Sequence, residues 1–376
     1  VTGIYVHLPF CPYLCPYCDF AKWPLRASTA QRYLRALERE IARERGVPAE
    51  TIFLGGGTPN AYGAADLVRL ITSLRAAFPH PDGDAHEITV ELNPELVRDG
   101  DLAAYRTAGV TRLSLGVQSF VPEELRILGR HHAPDLPAAI VRQARAEGFD
   151  AVSLDLIFAV PGQTPERWRS SLETAIALEP DHLSTYALTI EDGTPFASWY
   201  ARDPAVFCSE DVEADLYEIA IEVLERAGYE HYEVSNFARP GKRCRHNENY
   251  WRNGEYLGLG VGAASYRAGV RSSHTRDLAA YIESLERDLP VPSEAERLEG
   301  EARVGEAVML ALRTSDGVDE RAFAQRYGPG ALLPFAETFE RLCDDGLAIR
   351  TGGRLRLTRR GRFLADEIGT AFVTVP

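Results

Sequence analysis

The sequence contains no run of 18 or more consecutive apolar residues, which removes a membrane-spanning helix of ordinary length and leaves only peripheral membrane contact open. No secretory leader is expected. The first residues pass straight into Ile4, Tyr5, Val6 and His7 without the basic, apolar and small-residue succession of a secretory signal, so the expected compartment is the cytoplasm. Positive charge is in deficit: 41 Lys and Arg against 55 Asp and Glu give a formal charge of -14. With the acidic residues spread along the chain, no broad phosphate-binding surface and no nucleic-acid partner are expected. Cysteine is sparse as well. Of six, Cys208, Cys244 and Cys343 are scattered and read as small apolar side chains or free thiols. Cys11, Cys15 and Cys18 fall within eight residues, a spacing that fits a metal framework in a reducing compartment better than a disulfide scaffold.

What the chain does have is a regular alternation of short apolar runs and longer helical patterns. Strands are expected over 4–8, 51–54, 88–91, 112–117, 152–158 and 182–188. Helices are expected over 28–45, 64–77, after Pro94, over 137–147 and over 165–178. Strand and helix units without hairpins imply parallel strands joined by crossovers, and local pattern leaves a barrel and a doubly wound sheet both open. The placement of unusual residues favours the barrel. Cysteines follow the first strand, Gly55, Gly56 and Gly57 the second, Glu91 and Gln118 end the third and fourth, and Asp155 and Tyr186 lie in the fifth and sixth. Parallel strands carry all six places toward one rim.

The expected fold is therefore α/β, a partial TIM-like (β/α)6 barrel over residues 1–208. A barrel-associated segment over 209–290 and a smaller α+β C-terminal region over 291–376 follow. The polar stretch 288–300 reads as a linker, and helices over 301–312, 319–326 and 333–344 before a hairpin at Gly352 and Gly353 read as a winged-helix-like module.

Thiolates are soft ligands for iron-sulfur clusters and zinc, and three on one short loop can converge on a single inorganic centre. A four-iron cluster would keep one iron unclaimed, a zinc site would recruit His7 or a distant residue, and unrelated buried thiols are the bland alternative. The glycines 55–57 allow a ligand to approach the backbone, or simply make a tight turn. Glu91 offers an acceptor at a strand end, Gln118 both donor and acceptor, and Asp155 an acceptor for hydroxyls. Arg130, taken alone, reads as a surface charge.

The C-x3-C-x2-C pattern at 11–18 resembles the signature of the radical S-adenosylmethionine superfamily. The flanking Tyr5 to Phe10 and Tyr17 to Phe20, with Gly55-Gly56-Gly57-Thr58-Pro59, Gly116-Val117-Gln118-Ser119-Phe120, Pro161-Gly162-Gln163-Thr164 and Ser235-Asn236-Phe237-Ala238, resemble the branch holding oxygen-independent coproporphyrinogen III oxidases and HemW haem chaperones. This resemblance, over about residues 4–285, implies a 4Fe-4S cluster on Cys11, Cys15 and Cys18 with S-adenosylmethionine at the open iron. It implies a cofactor pocket of Tyr5, Tyr17, Gly56, Gly57, Thr58, Glu91, Gln118, Arg130 and Asp155, with adenine near Ala187, and an external reducing electron donor.

Within that branch the oxidases carry a further cysteine at the position of Phe20, and their substrate-contacting extension would need more chain before the first strand. His246-Asn247-Glu248-Asn249-Tyr250-Trp251 resembles the H-N-x-x-Y-W motif of the chaperones and makes His246, Tyr250 and Trp251 candidates for holding haem. One departure is that Gly262-Ala263-Ala264-Ser265 stands where a histidine is usual at 264, and His274 where asparagine is frequent. The resemblance implies a haem chaperone that delivers haem to a recipient apo-haemoprotein, with coproporphyrinogen oxidation or other radical chemistry as the alternative.

Overall fold

A computed structural model of the chain describes residues 2–83 and 86–373. Six strands lead: β1 Thr2–Leu8, β2 Thr51–Gly56, β3 Glu87–Leu92, β4 Arg112–Gln118, β5 Ala151–Phe158 and β6 His182–Ala187. Each pairs in parallel with the next, so spatial order repeats chain order. That order decides what periodicity left open. A doubly wound sheet reverses at a switch point and carries helices on both faces; an unreversed succession of right-handed crossovers keeps every helix on one side and curls the sheet around the other.

The helices of this half are α1 Ala27–Glu44, α2 Ala64–Ala77, α3 Asp101–Ala108, α4 Pro122–Ile127, α5 Leu136–Ala146 and α6 Pro165–Ala177. Alternation along the strands sorts two sets of side chains. Ile4, Val6, Ile52, Leu54, Val90, Leu113 and Leu154 face outward, fully buried with Leu37, Leu70, Ile71 and Leu102 of the helices in one cluster. Each such side chain contributes about 1.5–3 kcal/mol by leaving water. The inward set is polar, including Glu91, Arg112, Ser114, Asp155, His182 and Ser184, and these line a cavity. Ordinary (β/α)8 barrels fill this space with branched apolar layers. Here polar residues keep it open.

The next part of the chain extends both edges of the sheet. After α7 Pro195–Tyr200 and α8 Glu210–Arg226 come the short strands β7 Glu230–Glu233 and β8 Asn236–Ala238; β8 adds antiparallel to β6, and β7 antiparallel to β8. The chain then runs beneath the N-terminal ends of the barrel strands. Arg239 N donates to Asp181 O, Arg112 donates to the Lys242 carbonyl at 3.0 Å, and Arg245 N and His246 N donate to the Glu87 carboxylate. Helix α9 Arg245–Trp251 follows, and β9 Glu255–Leu259 joins β1 in parallel at the opposite edge. Beyond it come β10 Ala264–Arg267, β11 Val270–His274, α10 Leu278–Glu286 and β12 Ser293–Arg297. The stretch 288–300, expected as a linker, thus contains a strand paired antiparallel with β11. All five of its residues are exposed, so backbone pairing at a sheet edge specifies it and no apolar alternation exists to be read.

The C-terminal helices α11 Gly300–Leu312, α12 Glu320–Tyr327 and α13 Ala336–Asp344 pack with a three-stranded antiparallel sheet around a separate core that includes Val308, Phe335, Phe339, Leu355 and Phe372. Its hairpin turns at Gly352 and Gly353, with φ of 62° and 74°, the backbone a two-residue type I′ turn demands. Backbone bonds dock it beneath the barrel: Val234 N to Arg313 O and Ser315 N to Tyr232 O.

Candidate functional site

The three-cysteine loop leaves β1 and is pinned at both feet. Trp23 N donates to Pro9 O at 2.9 Å and Leu25 N to Cys11 O at 2.8 Å, closing a two-residue ladder of Phe10 and Cys11 against Trp23 and Pro24. Cys11 is buried, Cys15 and Cys18 are half-buried, and all three line the barrel cavity, which holds about 420 Å3. Burial pushes the Cys11 thiol up to about 11 against the pull of a Thr58 hydrogen bond. A thiol buried as Cys11 is becomes a thiolate most readily against a strongly cationic centre. Among the described residues no three His, Cys, Asp or Glu side chains surround a single point as one metal ion would require. A larger centre, three of whose irons take one thiolate each, fits the loop.

The three glycines at the end of β2, Gly55 and Gly56 in its last positions and Gly57 just beyond, are required by packing. A Cβ on Gly55 would lie 2.8 Å from Glu91 Oε2, one on Gly56 2.4 Å from His7 Cε1, and one on Gly57 2.7 Å from Leu8 O. Gly56, at φ 107°, also donates its N–H to Glu91 Oε2 at 3.1 Å. The glycine turn therefore positions the carboxylate and lets the thiol loop lie directly on the end of β2. Gly57 N donates to Leu8 O and Thr58 N to Phe10 O.

Glu91 and Asp155 face the same cavity. Burial, with the Asp155 charge adding to it, pushes Glu91 up to about 7. Asp155 is also raised by burial, but Ser184 and Ser114 donate to it at 2.7 and 2.8 Å and hold its two oxygens apart. Arg130 is only 7% exposed, which overturns its reading as a surface charge. It donates to Asn93 Oδ1 and Gly116 O, and its Nη1 lies 3.9 Å from Cys15 Sγ. Gln118 has φ 66° at a break in the β4 register, and Ser119 N closes a tight turn onto Val117 O. A non-glycine residue in the left-handed region costs about 1–3 kcal/mol, and such strain gathers at functional sites. Gln118, Gly56, Gly57, Thr58 and Tyr17 all line the cavity, as does Tyr186 at its rim. Tyr5 sits behind the lining, its hydroxyl 2.9 Å from His7 Nδ1 and its ring stacked on Phe53. Because His7 Nε2 donates to Ala21 O, Nδ1 accepts from Tyr5.

The α9 residues lie elsewhere. His246 is beneath the N-terminal ends of β1 and β2, about 20 Å of strand away from the cysteine end. It is 1% exposed, stacked on Phe53, with Nδ1 2.7 Å from Thr51 Oγ1 and Nε2 2.8 Å from Tyr250 Oη. Burial pushes it down to about 3, so it stays neutral. Tyr250 packs edge-on against His246 and Tyr256, whereas Trp251 turns toward the C-terminal module.

The profile of the Radical SAM superfamily matches residues 5–175, and that of the HemN C-terminal domain matches residues 298–364. The chain is 34% identical to the heme chaperone HemW of Bacillus subtilis over 99% of both chains, and 38% identical to HemW of Mycobacterium tuberculosis over 97% of this chain and 93% of that one. It belongs to the HemW family of radical SAM proteins. The solved structure of coproporphyrinogen III oxidase (HemN) from Escherichia coli superposes with a TM-score of 0.86 at 27% identity, covering 99% of this chain and 90% of that one.

A radical SAM protein of the HemW family implies a 4Fe-4S cluster and S-adenosylmethionine. The thiol loop and the polar cavity beside it fit both. Sequence reading missed Asn93, Ser114 and Ser184, which orient Arg130 and Asp155. The signal for the serines was present in the polar-apolar alternation of Arg112-Leu113-Ser114-Leu115 and His182-Leu183-Ser184, on strands that burial was expected to make apolar throughout.

Proposed function

We propose that this chain is a haem chaperone that binds haem and passes it to recipient apo-haemoproteins, with a 4Fe-4S cluster on Cys11, Cys15 and Cys18 and S-adenosylmethionine in the barrel cavity. The similarity to curated HemW proteins over nearly the whole chain carries this reading. The shared fold with HemN does not transfer the oxidase reaction, because one fold hosts different chemistries. Phe20, where the oxidases have a further cysteine, is 62% exposed beside the thiol loop and supplies an apolar surface with no acid-base function.

A cluster held on Cys11, Cys15 and Cys18 and reduced by an external donor would supply one-electron reduction chemistry to the sulfonium of S-adenosylmethionine. The protein's part is to hold and orient. The Asp155 carboxylate, fixed by two serines, is suited to accept from ribose hydroxyls; Glu91 to accept from the amino group; Arg130, with Gln118 beside it, to meet the carboxylate. Thr58 and Tyr17 close the same wall. The free thiols support a reducing compartment such as the cytoplasm, and no helix among the described residues is long and apolar enough to cross a membrane. His246 would have to give up two hydrogen bonds to reach an iron, whereas Trp251 lines a separate cavity.

Anaerobic cluster reconstitution, haem titration and transfer to an apo-haemoprotein, with product analysis on coproporphyrinogen III in parallel, test the proposal. Bound haem that leaves for the acceptor, without vinyl-group formation, is the expected result. Failure to bind haem at stoichiometric protein concentration overturns it.

A further inference from the structure

A second cavity of about 370 Å3 lies in the seam between the barrel and the C-terminal module, sharing no lining residue with the first. This volume falls in the range of small-molecule sites. Helix α9 joins the two cavities: Cys244 and Asn247 at its start line the barrel, while Glu248, Trp251 and Arg252 at its end line the seam.

The seam combines flat aromatic walls with guanidinium groups. Trp251, Phe323 and Tyr327 supply the walls, and Arg243, Arg252 and Arg354 the charge. The indole Nε1 of Trp251 and the Tyr327 hydroxyl are buried with no hydrogen-bond partner among the described residues. Arg313 lies 5.1 Å over the Trp251 ring, and Arg303 and Arg326 lie 5.5 and 5.2 Å over that of Tyr327.

The arginines are shared at present with Glu248, Asp316 and Asp319. Those pairs are partly exposed, a setting in which an ion pair is weak and readily exchanged for a ligand carboxylate. A buried donor without a partner is costly, so a ligand that meets the indole and phenol gains by satisfying them.

We propose that this seam, rather than His246, receives the haem. The macrocycle stacks on Trp251 and Phe323, its propionates meet Arg252 and Arg354 at the exposed rim, and the Tyr327 oxygen faces the iron. Phenolate is an established haem ligand type; burial holds the Tyr327 phenol above its ordinary range against the pull of Arg326 and Arg303, so the ionised oxygen would form only against the iron. The idea rests on the haem-chaperone reading.

The test is ferric haem titration of the full-length, cluster-reconstituted protein. Arg252→Glu with Arg354→Glu, on the rim where folding is least at risk, is expected to weaken haem at least tenfold. Tyr327→Phe is expected to change the ferric visible spectrum, and Trp251→Phe to weaken binding less than Trp251→Ala. Cluster content and S-adenosylmethionine binding should be unchanged in all four. Unaltered affinity and spectrum in the rim and Tyr327 variants, with wild-type protein binding haem, would overturn this location alone. Wild-type protein that binds no haem removes the chaperone reading itself.

Discussion

The barrel cavity and the seam cavity show two ways of making a site. The first is built from inward positions of consecutive parallel strands, and its carboxylates are held by short hydrogen bonds from Gly56, Ser114 and Ser184. The second gathers α9, α11 and α12 with exposed ion pairs and two unmatched donors. A preorganised polar lining suits a resident cofactor whose orientation matters, since donors fixed before binding cost no reordering. A seam closed by weak pairs suits a cargo that must leave. Between the two lies a buried chain in which Ser153 and Tyr232 hold the two nitrogens of His182, at 2.7 and 2.8 Å, and Tyr232 lines the seam.

The sharpest way to break the comparison is Cys15→Ser. Iron and sulfide content should fall to background, with S-adenosylmethionine binding weakened. Haem affinity in the seam should stay within a few-fold of wild type, because the cavities share no lining residue. Loss of both would merge the two sites into one.

A smaller effect is expected from Gly57→Ala. Its Cβ would meet the Leu8 and Pro9 backbone at 2.7 Å, so the thiol loop must shift, at a cost of about 1–3 kcal/mol. Thermal unfolding of apo-protein should drop, and cluster loading should fall with it. An unchanged midpoint would show that the loop is loose and that the barrel site is less preorganised than its contacts indicate.

The mildest is a pH dependence in the barrel alone. Glu91 has its pKa raised by burial to about 7, so the folded state keeps its proton between the ordinary value of 4.5 and about 7. Stability contributed by that retained proton is present at acid pH and lost as pH rises through this window. A cationic amino group favours the carboxylate, so S-adenosylmethionine affinity should fall by up to about tenfold per pH unit below 7. Calorimetric titrations between about pH 6 and pH 8 should show this slope, and Glu91→Gln should abolish it. A slope retained in the variant would assign the proton to another group.

Much of the barrel was legible because its strands are short, separated by long helices and marked at their ends. The helix over 64–77 and the hairpin at Gly352 and Gly353 were readable to the residue, since apolar period and turn chemistry are local properties. Strand β12 was not, having no buried face. Arg130 was named only through the family resemblance, for a different cause: its partners are Asn93 and the Gly116 carbonyl, 37 and 14 positions away, so its own neighbourhood in sequence reads as a surface charge while the fold buries it.

The sequence by itself determined the thiol loop, the order of the barrel elements and membership of the family, because spacing on a short loop and periodicity along a strand are written residue by residue. Tertiary structure alone decided that His246 lies at the far end of the barrel from the cysteines while Trp251 opens into a seam. The chain between β8 and β9 must cross beneath the strands to reach the other sheet edge, and nothing local records where a crossing segment will pack.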